Sequence, residues 1–118
     1  MLNEGFPADE ILIIVKKPFK IPVLQYIPND LESVHKIVGD SIKYIDFQDD
    51  IVIIANNKEG TSQHLPANFT YGNDAIVGTC LFVGNVAGSR FSSLTEKQIA
   101  TVLTKSMDNN MGKLANDQ

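Results

Sequence analysis

The run Ile11-Leu12-Ile13-Ile14-Val15-Lys16-Lys17-Pro18-Phe19-Lys20-Ile21-Pro22-Val23-Leu24-Gln25-Tyr26-Ile27-Pro28 sets up two strands and the turn between them. Residues 11–17 are rich in β-branched side chains and stop at a proline, the pattern of a buried strand. Residues 22–27 put Val23, Gln25 and Ile27 on one side and Leu24 and Tyr26 on the other. The short link Pro18-Phe19-Lys20 predicts a hairpin. Pro28 has no N–H to give a ladder and ends the pairing.

Outward from this hairpin the chain alternates strands with two helices. Asn29 is placed to cap a short helix, with Glu32 closing a capping box, Leu31, Val34 and Val38 on one face, and Gly39 at the C-terminal turn. Ile42–Phe47 and Ile51–Ala55 read as strands around the polar turn Gln48-Asp49-Asp50, and residues 56–60 as the next turn. Leu65–Asp74 lacks periodicity and reads as an ordered loop or a single helical turn. Ala75–Val83 reads as one strand, with Gly78 marking a bulge or a close backbone approach. Gly84–Ser89 turns and Arg90–Ser92 is a short strand. A second helix follows, with Thr95 and Gln98 as its capping box and Leu94 and Ile99 as its hydrophobic staple. Ile99, Val102, Leu103 and Met107 form its apolar stripe. The expected architecture is α+β: one compact domain over residues 1–107, a mostly antiparallel or mixed sheet with two helices packed on it, and a polar tail over 108–118.

Composition narrows the function classes. The chain has 118 residues, 43% of them apolar, enough for one domain and too many for a disordered chain. Ten Lys+Arg against fourteen Asp+Glu leave a net charge of −4, which argues against a protein that coats nucleic acid through a basic face. The single cysteine, Cys80, excludes an internal disulfide and a multi-cysteine zinc site. No basic segment precedes a signal-length apolar run, and the longest apolar runs are strand-length, so neither a secretory signal nor a membrane span is expected. A reducing cytoplasm suits the lone thiol.

No catalytic constellation nominates itself. His35 and His64 share no metal-ligand spacing with each other or with Cys80, and their ordinary reading is a helix-surface and a loop imidazole. Cys80 lies in an apolar run as a small hydrophobe. Asp46, Asp49 and Asp50 read as a solvated turn. Gly84-Asn85-Val86-Ala87-Gly88 lacks the Lys-Ser/Thr ending of a phosphate loop and reads as a hairpin turn. Binding is therefore the expected work, with no cofactor. The candidate ligand-binding residues are Lys16, Lys17, Asn57, Asn68, Phe69, Tyr71, Thr79, Arg90 and Phe91, with Lys58 beside them. Aromatic faces suit stacking on adenine, worth roughly 1–3 kcal/mol by analogy with base stacking. Cations suit phosphate, and Asn and Thr give directional hydrogen bonds. The competing reading makes the phenylalanines core and the lysines solvated surface.

Lys17-Pro18, Val38-Gly39, residues 57–60, Leu65-Pro66-Ala67-Asn68, residues 75–79 and residues 93–99 occur in an order that resembles a small domain family of unknown function carried by phages and mobile elements of Gram-positive bacteria. The likeness runs from about Ile11 to Val102. The chain departs from the pattern in its longer N-terminal lead and in Phe69, where a basic residue is expected. The resemblance implies an accessory protein of a phage or mobile element. Such proteins include counter-defence factors, among them nucleotide sponges of the Sequestin and Lockin kind that act against Thoeris-type defence. The expected function is sequestration of a cyclic or modified ADP-ribose-type signal by a homo-oligomer. Nanomolar affinity, about −12 kcal/mol, calls for sites shared between chains joined at the sheet edge or the C-terminal helix. The alternative is a protein-directed inhibitor of a host CRISPR or restriction complex. A small hydrolase of the same signals ranks third. Neither a membrane nor nucleic acid is an expected partner.

Overall fold

The computed structural model describes residues 9–57 and 65–108. Its elements run β1 (Glu10–Lys16), β2 (Val23–Pro28), α1 (Leu31–Val38), β3 (Ile42–Asp46), β4 (Val52–Asn56), β5 (Ala67–Tyr71), β6 (Asp74–Val77), β7 (Cys80–Val83), β8 (Asn85–Ala87), β9 (Arg90–Ser92) and α2 (Glu96–Asp108). Five strands form one sheet in the order β2-β1-β7-β4-β3, every pair antiparallel, while β5–β6 and β8–β9 are separate hairpins. This is the expected α+β class.

Strand alternation sorts the apolar side chains into two cores. Ile11, Ile13 and Val15 of β1 join Ile54, Leu81 and Val83 beneath Val34 and Val38 of α1. Ile14 joins Ile53, Ala55, Cys80 and Phe82 on the opposite face, beneath β5–β6, Leu94 and the Ile99 and Val102 side of α2. The two helices thus cover opposite faces. β1, β7 and β4 are buried from both sides, which is why their sequences are nearly unbroken runs of Ile, Val, Leu and Phe.

Several local expectations hold and several need correction. The β1–β2 hairpin forms, closed by the Lys20 N–H donating to the Lys17 carbonyl at 3.2 Å, with Phe19 at φ 65° where glycine is usual. The α2 capping box forms in both directions, Gln98 N–H to Thr95 Oγ1 at 3.1 Å and Thr95 N–H to Gln98 Oε1 at 2.9 Å. The cap of α1 is Asp30 and not Asn29: Asp30 Oδ1 accepts from Ser33 N–H at 2.8 Å. Asn29 instead brackets the Phe91 backbone, donating to its carbonyl and accepting from its N–H, both at 2.8 Å. Leu65–Asp74 is no helical turn, since β5 lies within it and pairs with β6. Ala75–Val83 is two strands, because Gly78 at φ 70° turns the chain from β6 into β7. The expected turn at Gly84–Ser89 contains β8. Residues 1–8, residues 58–64 with Lys58 and His64, the Met107 side chain and the tail from 109 lie outside the described residues.

Candidate functional site

The nine candidate residues fall at two ends of β1. Lys16, Lys17, Asn57, Asn68 and Thr79 lie where β1 ends, β4 ends and β7 begins. Phe69 and Tyr71 follow on β5. Arg90 and Phe91 lie at the other end, where Arg90 reaches Asp9 Oδ1 at 3.5 Å. Asp9 and Lys16 stand seven positions apart along the strand, a span of about 23 Å. The two groups cannot share one small ligand.

Within the first group, Lys16 and Asn68 are brought together inside the protein. Lys16 shares a face of β1 with Ile14 and is fully buried beneath β5–β6. Its Nζ donates to the Lys17 carbonyl at 2.8 Å and to Asn68 Oδ1 at 3.0 Å. Asn68 Nδ2 donates to the carbonyls of Lys16 and Gly78, both at 2.8 Å. Asn68 sits at the bulge where the β5–β6 register shifts, so Asn68 and Phe69, though adjacent, both turn inward. No buried side-chain nitrogen or oxygen among the described residues is left without a partner.

The aromatic candidates are also interior. Phe69 stacks on Phe82 at 6.2 Å between ring centroids, and Tyr71, half-buried, tilts against Phe47 at 4.7 Å. Phe91 is buried under the α1 side of the sheet. The expectation that Lys16, Asn68, Phe69 and Phe91 face a ligand is therefore corrected: none presents surface to solvent, because the bulge and strand parity point them into the cores. Lys17, Asn57 and Arg90 are exposed and Thr79 is half-buried.

Burial also governs the titrating groups here. It pushes the Cys80 thiol from 9.0 up to about 12, opposed by the Lys16 charge. It lowers the Lys16 amine below 10.5, opposed by Cys80. Between pH 9.0 and about 12 the native Cys80 keeps a proton that the unfolded chain gives up, so its contribution to stability falls as pH rises. Lys16 acts with the opposite sign, gaining stability between its lowered pKa and 10.5. Cys80→Ala is expected to make the slope of unfolding free energy against pH less negative above pH 9, by up to about 1.4 kcal/mol per unit. Urea unfolding across that range checks this; equal slopes in both proteins would contradict it.

Among the described residues two clefts of opposite charge stand out, apart from a more open one of about 300 Å³ along α2 that Lys97 and Lys105 line. One, of about 460 Å³, is lined by Asp46, Asp50, Asn85, Phe47, Ile51 and Val52. Its carboxylates disfavour an anion. The Asp49 between them is already engaged by α2, accepting from Thr101 Oγ1 and, through its carbonyl, from Gln98 Nε2. The other, of about 290 Å³, lies beside β2 and is formed by Val15, Lys17, Lys20, Ile21, Val23 and Gln25. Its floor is apolar and its rim carries two lysines.

The groove belongs to a surface that sequence reasoning missed. Phe19 is 59% exposed, Ile21 75% and Tyr26 63%, with Val23 and Leu24 also exposed. β2 is an edge strand without a single charged residue, whereas the opposite edge, β3, carries Lys43 and Asp46. Edge strands ordinarily bear charges that discourage pairing with another chain. The signal was present in the sequence: Val23-Leu24-Gln25-Tyr26-Ile27 is apolar on both parities, but only the topology shows that β2 has one neighbour.

Among the described residues no three His, Cys, Asp or Glu side chains are grouped to hold a metal ion, and no helix is long and apolar enough to cross a membrane. Comparison with curated proteins and with solved structures gives no significant match. A family model does match, over residues 11–107, nearly the interval on which the β1–β2 hairpin, the five-stranded sheet and α2 are built. The chain belongs to the family described as Domain of unknown function (DUF3846).

Proposed function

We propose that the protein sequesters a small anionic molecule of the nucleotide class, as a homo-oligomer, with the groove beside β2 as the binding element. The observation that carries this reading is the pairing of Lys17 and Lys20 around an apolar floor of Val15, Ile21 and Val23. Two ammonium groups serve phosphates, and exposed Phe19 stands between the two lysines in the turn. At about 290 Å³ the groove is small for a ligand site, so one chain covers only part of such a molecule. The nucleotide is held and released intact, and the phage counter-defence role belongs to this proposal.

Calorimetry with cyclic ADP-ribose isomers and His-ADP-ribose tests it. Saturable heat is expected with at least one of them. Affinity should fall by about tenfold or more in the Lys17→Ala/Lys20→Ala variant, since each charge-assisted contact is worth about 1.5–3 kcal/mol. Absence of heat with every nucleotide would sink the proposal, and recovery of a changed ligand after heat denaturation would replace it with the hydrolase reading.

A second reading, the protein-directed inhibitor, is favoured by the uncharged β2 edge, which suits addition of an extended segment from a host protein. It expects a stoichiometric complex with a host protein that Leu24→Lys abolishes, together with indifference to nucleotides.

A further inference from the structure

The β2 edge has a built-in register. Asn29 N–H donates to the Asp9 carbonyl at 2.7 Å, which continues the β1–β2 ladder by one pair and fixes its parity. Residues 23, 25 and 27 therefore spend their backbone groups on β1, while the N–H and C=O of Leu24 and Tyr26 point away from the sheet. Pro22 and Pro28 bracket them and donate nothing. The edge thus offers two donors, at positions 24 and 26, and among the described residues no strand pairs with β2 on that side.

We propose that this edge pairs with the same edge of a second copy, antiparallel about a two-fold axis, with Leu24 opposite the partner's Tyr26 and Tyr26 opposite the partner's Leu24. In this register each of the four N–H groups of the two chains faces an outward carbonyl, and both hydrogen-bonded pairs are complete because neither contains a proline. A shift of two residues either way sets Leu24 or Tyr26 against a proline, whose pair carries one hydrogen bond in place of two. The axis passes between the two Gln25 residues. Leu24 and Tyr26 then cover each other on one face, and Val23 meets Ile27 of the second copy on the other.

The charges agree with an identical partner. One end of β2 carries Lys17 and Lys20, and the other carries Asp30, with Glu10 beside Pro28 and Glu32 in the first turn of α1. Antiparallel pairing of two copies sets each basic end against an acidic end, twice. It also extends the Lys17–Lys20 groove across the axis, because Val23 and Gln25 line that groove and sit next to the partner strand. The inference goes beyond the proposed sequestration and is tested with no nucleotide present.

Sedimentation equilibrium of the full chain should show a monomer–dimer equilibrium. Leu24→Pro removes an outward-facing N–H and an exposed side chain, neither of which the β1–β2 ladder uses, and should shift the protein to monomer with its circular dichroism unchanged. If that variant fails to fold, Tyr26→Lys, which alters only an exposed side chain, serves in its place. Lys20→Glu should weaken the dimer by about threefold to thirtyfold, two exposed ion pairs being lost per dimer. Gln25→Cys places two thiols directly opposite in a non-hydrogen-bonded pair, where the backbones approach most closely, and should oxidise to a covalent dimer. Leu24→Cys should not. A monomer throughout the accessible concentration range overturns the inference, as does a dimer indifferent to Leu24→Pro and Tyr26→Lys, or one that crosslinks through Leu24→Cys instead of Gln25→Cys. A monomer that still binds nucleotide in calorimetry would overturn the dimer and leave nucleotide binding standing; a dimer without nucleotide heat would do the reverse.

Discussion

Replacing Asn68 with alanine is expected to destabilise the protein by about 3–5 kcal/mol, against a typical total of about 5–15 kcal/mol for a domain of this kind. The carboxamide bridges β5 to both the β1 backbone and the Gly78 corner, through donors to the Lys16 and Gly78 carbonyls. It also accepts from the Lys16 ammonium. Alanine leaves two carbonyls and a charged amine short of partners where water does not reach. Urea unfolding at neutral pH gives the size of the loss. The double variant Lys16→Met/Asn68→Leu is expected to cost at least about 1 kcal/mol less than the two single losses added together, because replacing a whole buried polar network with apolar volume is milder than breaking it. Strict additivity would show that the two side chains do not act as a unit.

The second large loss is expected at Phe82, whose replacement by alanine should cost about 3–5 kcal/mol. Phe82 is fully buried on the central strand, edge-on to Phe47 at 5.4 Å and stacked with Phe69 at 6.2 Å. Its ring joins the sheet to the β5–β6 hairpin and to the chain between β3 and β4, so the cavity would open between three elements that cannot all close on it. Tyr44→Ala, at an exposed position on edge strand β3, is the comparison and should stay within about 0.5 kcal/mol of the parent. Thermal or urea unfolding of the two side by side checks the contrast. Similar losses at both positions would mean that the ring cluster does not hold the two layers together.

Much of this fold is legible in the chain because local signals and burial agree. The β1–β2 hairpin follows from a β-branched run, a proline turn and an alternating run, and α2 follows from its capping box and apolar stripe. The cap of α1 was misread because Asn29 and Asp30 are both good caps. The choice rests on Phe91, sixty-two residues on, whose backbone takes up Asn29. The β5 strand was missed because its bulge destroys the period of two at Asn68–Phe69. For the site, residue type alone misled. Lysine, asparagine and phenylalanine suit a nucleotide wherever they face water, but strand parity and the overlying hairpin turn Lys16, Asn68 and Phe69 inward. The exposed β2 edge could not be told from a central strand until the order β2-β1-β7-β4-β3 was known.

That order also bears on how the chain is made. The two N-terminal hairpins, β1–β2 and β3–β4, do not touch as sheet partners; both wait for β7, whose Phe82 meets Ile14 on one side and Ile53 on the other. On a ribosome, most of the polypeptide emerges before its middle strand exists. Assembly is therefore expected only after release of the C-terminal third, at the slow end for a domain of this size, since distant segments must be brought together before any contact rewards them. Nascent chains halted before residue 80 should remain open to protease, and those extended past α2 should become resistant in a single step.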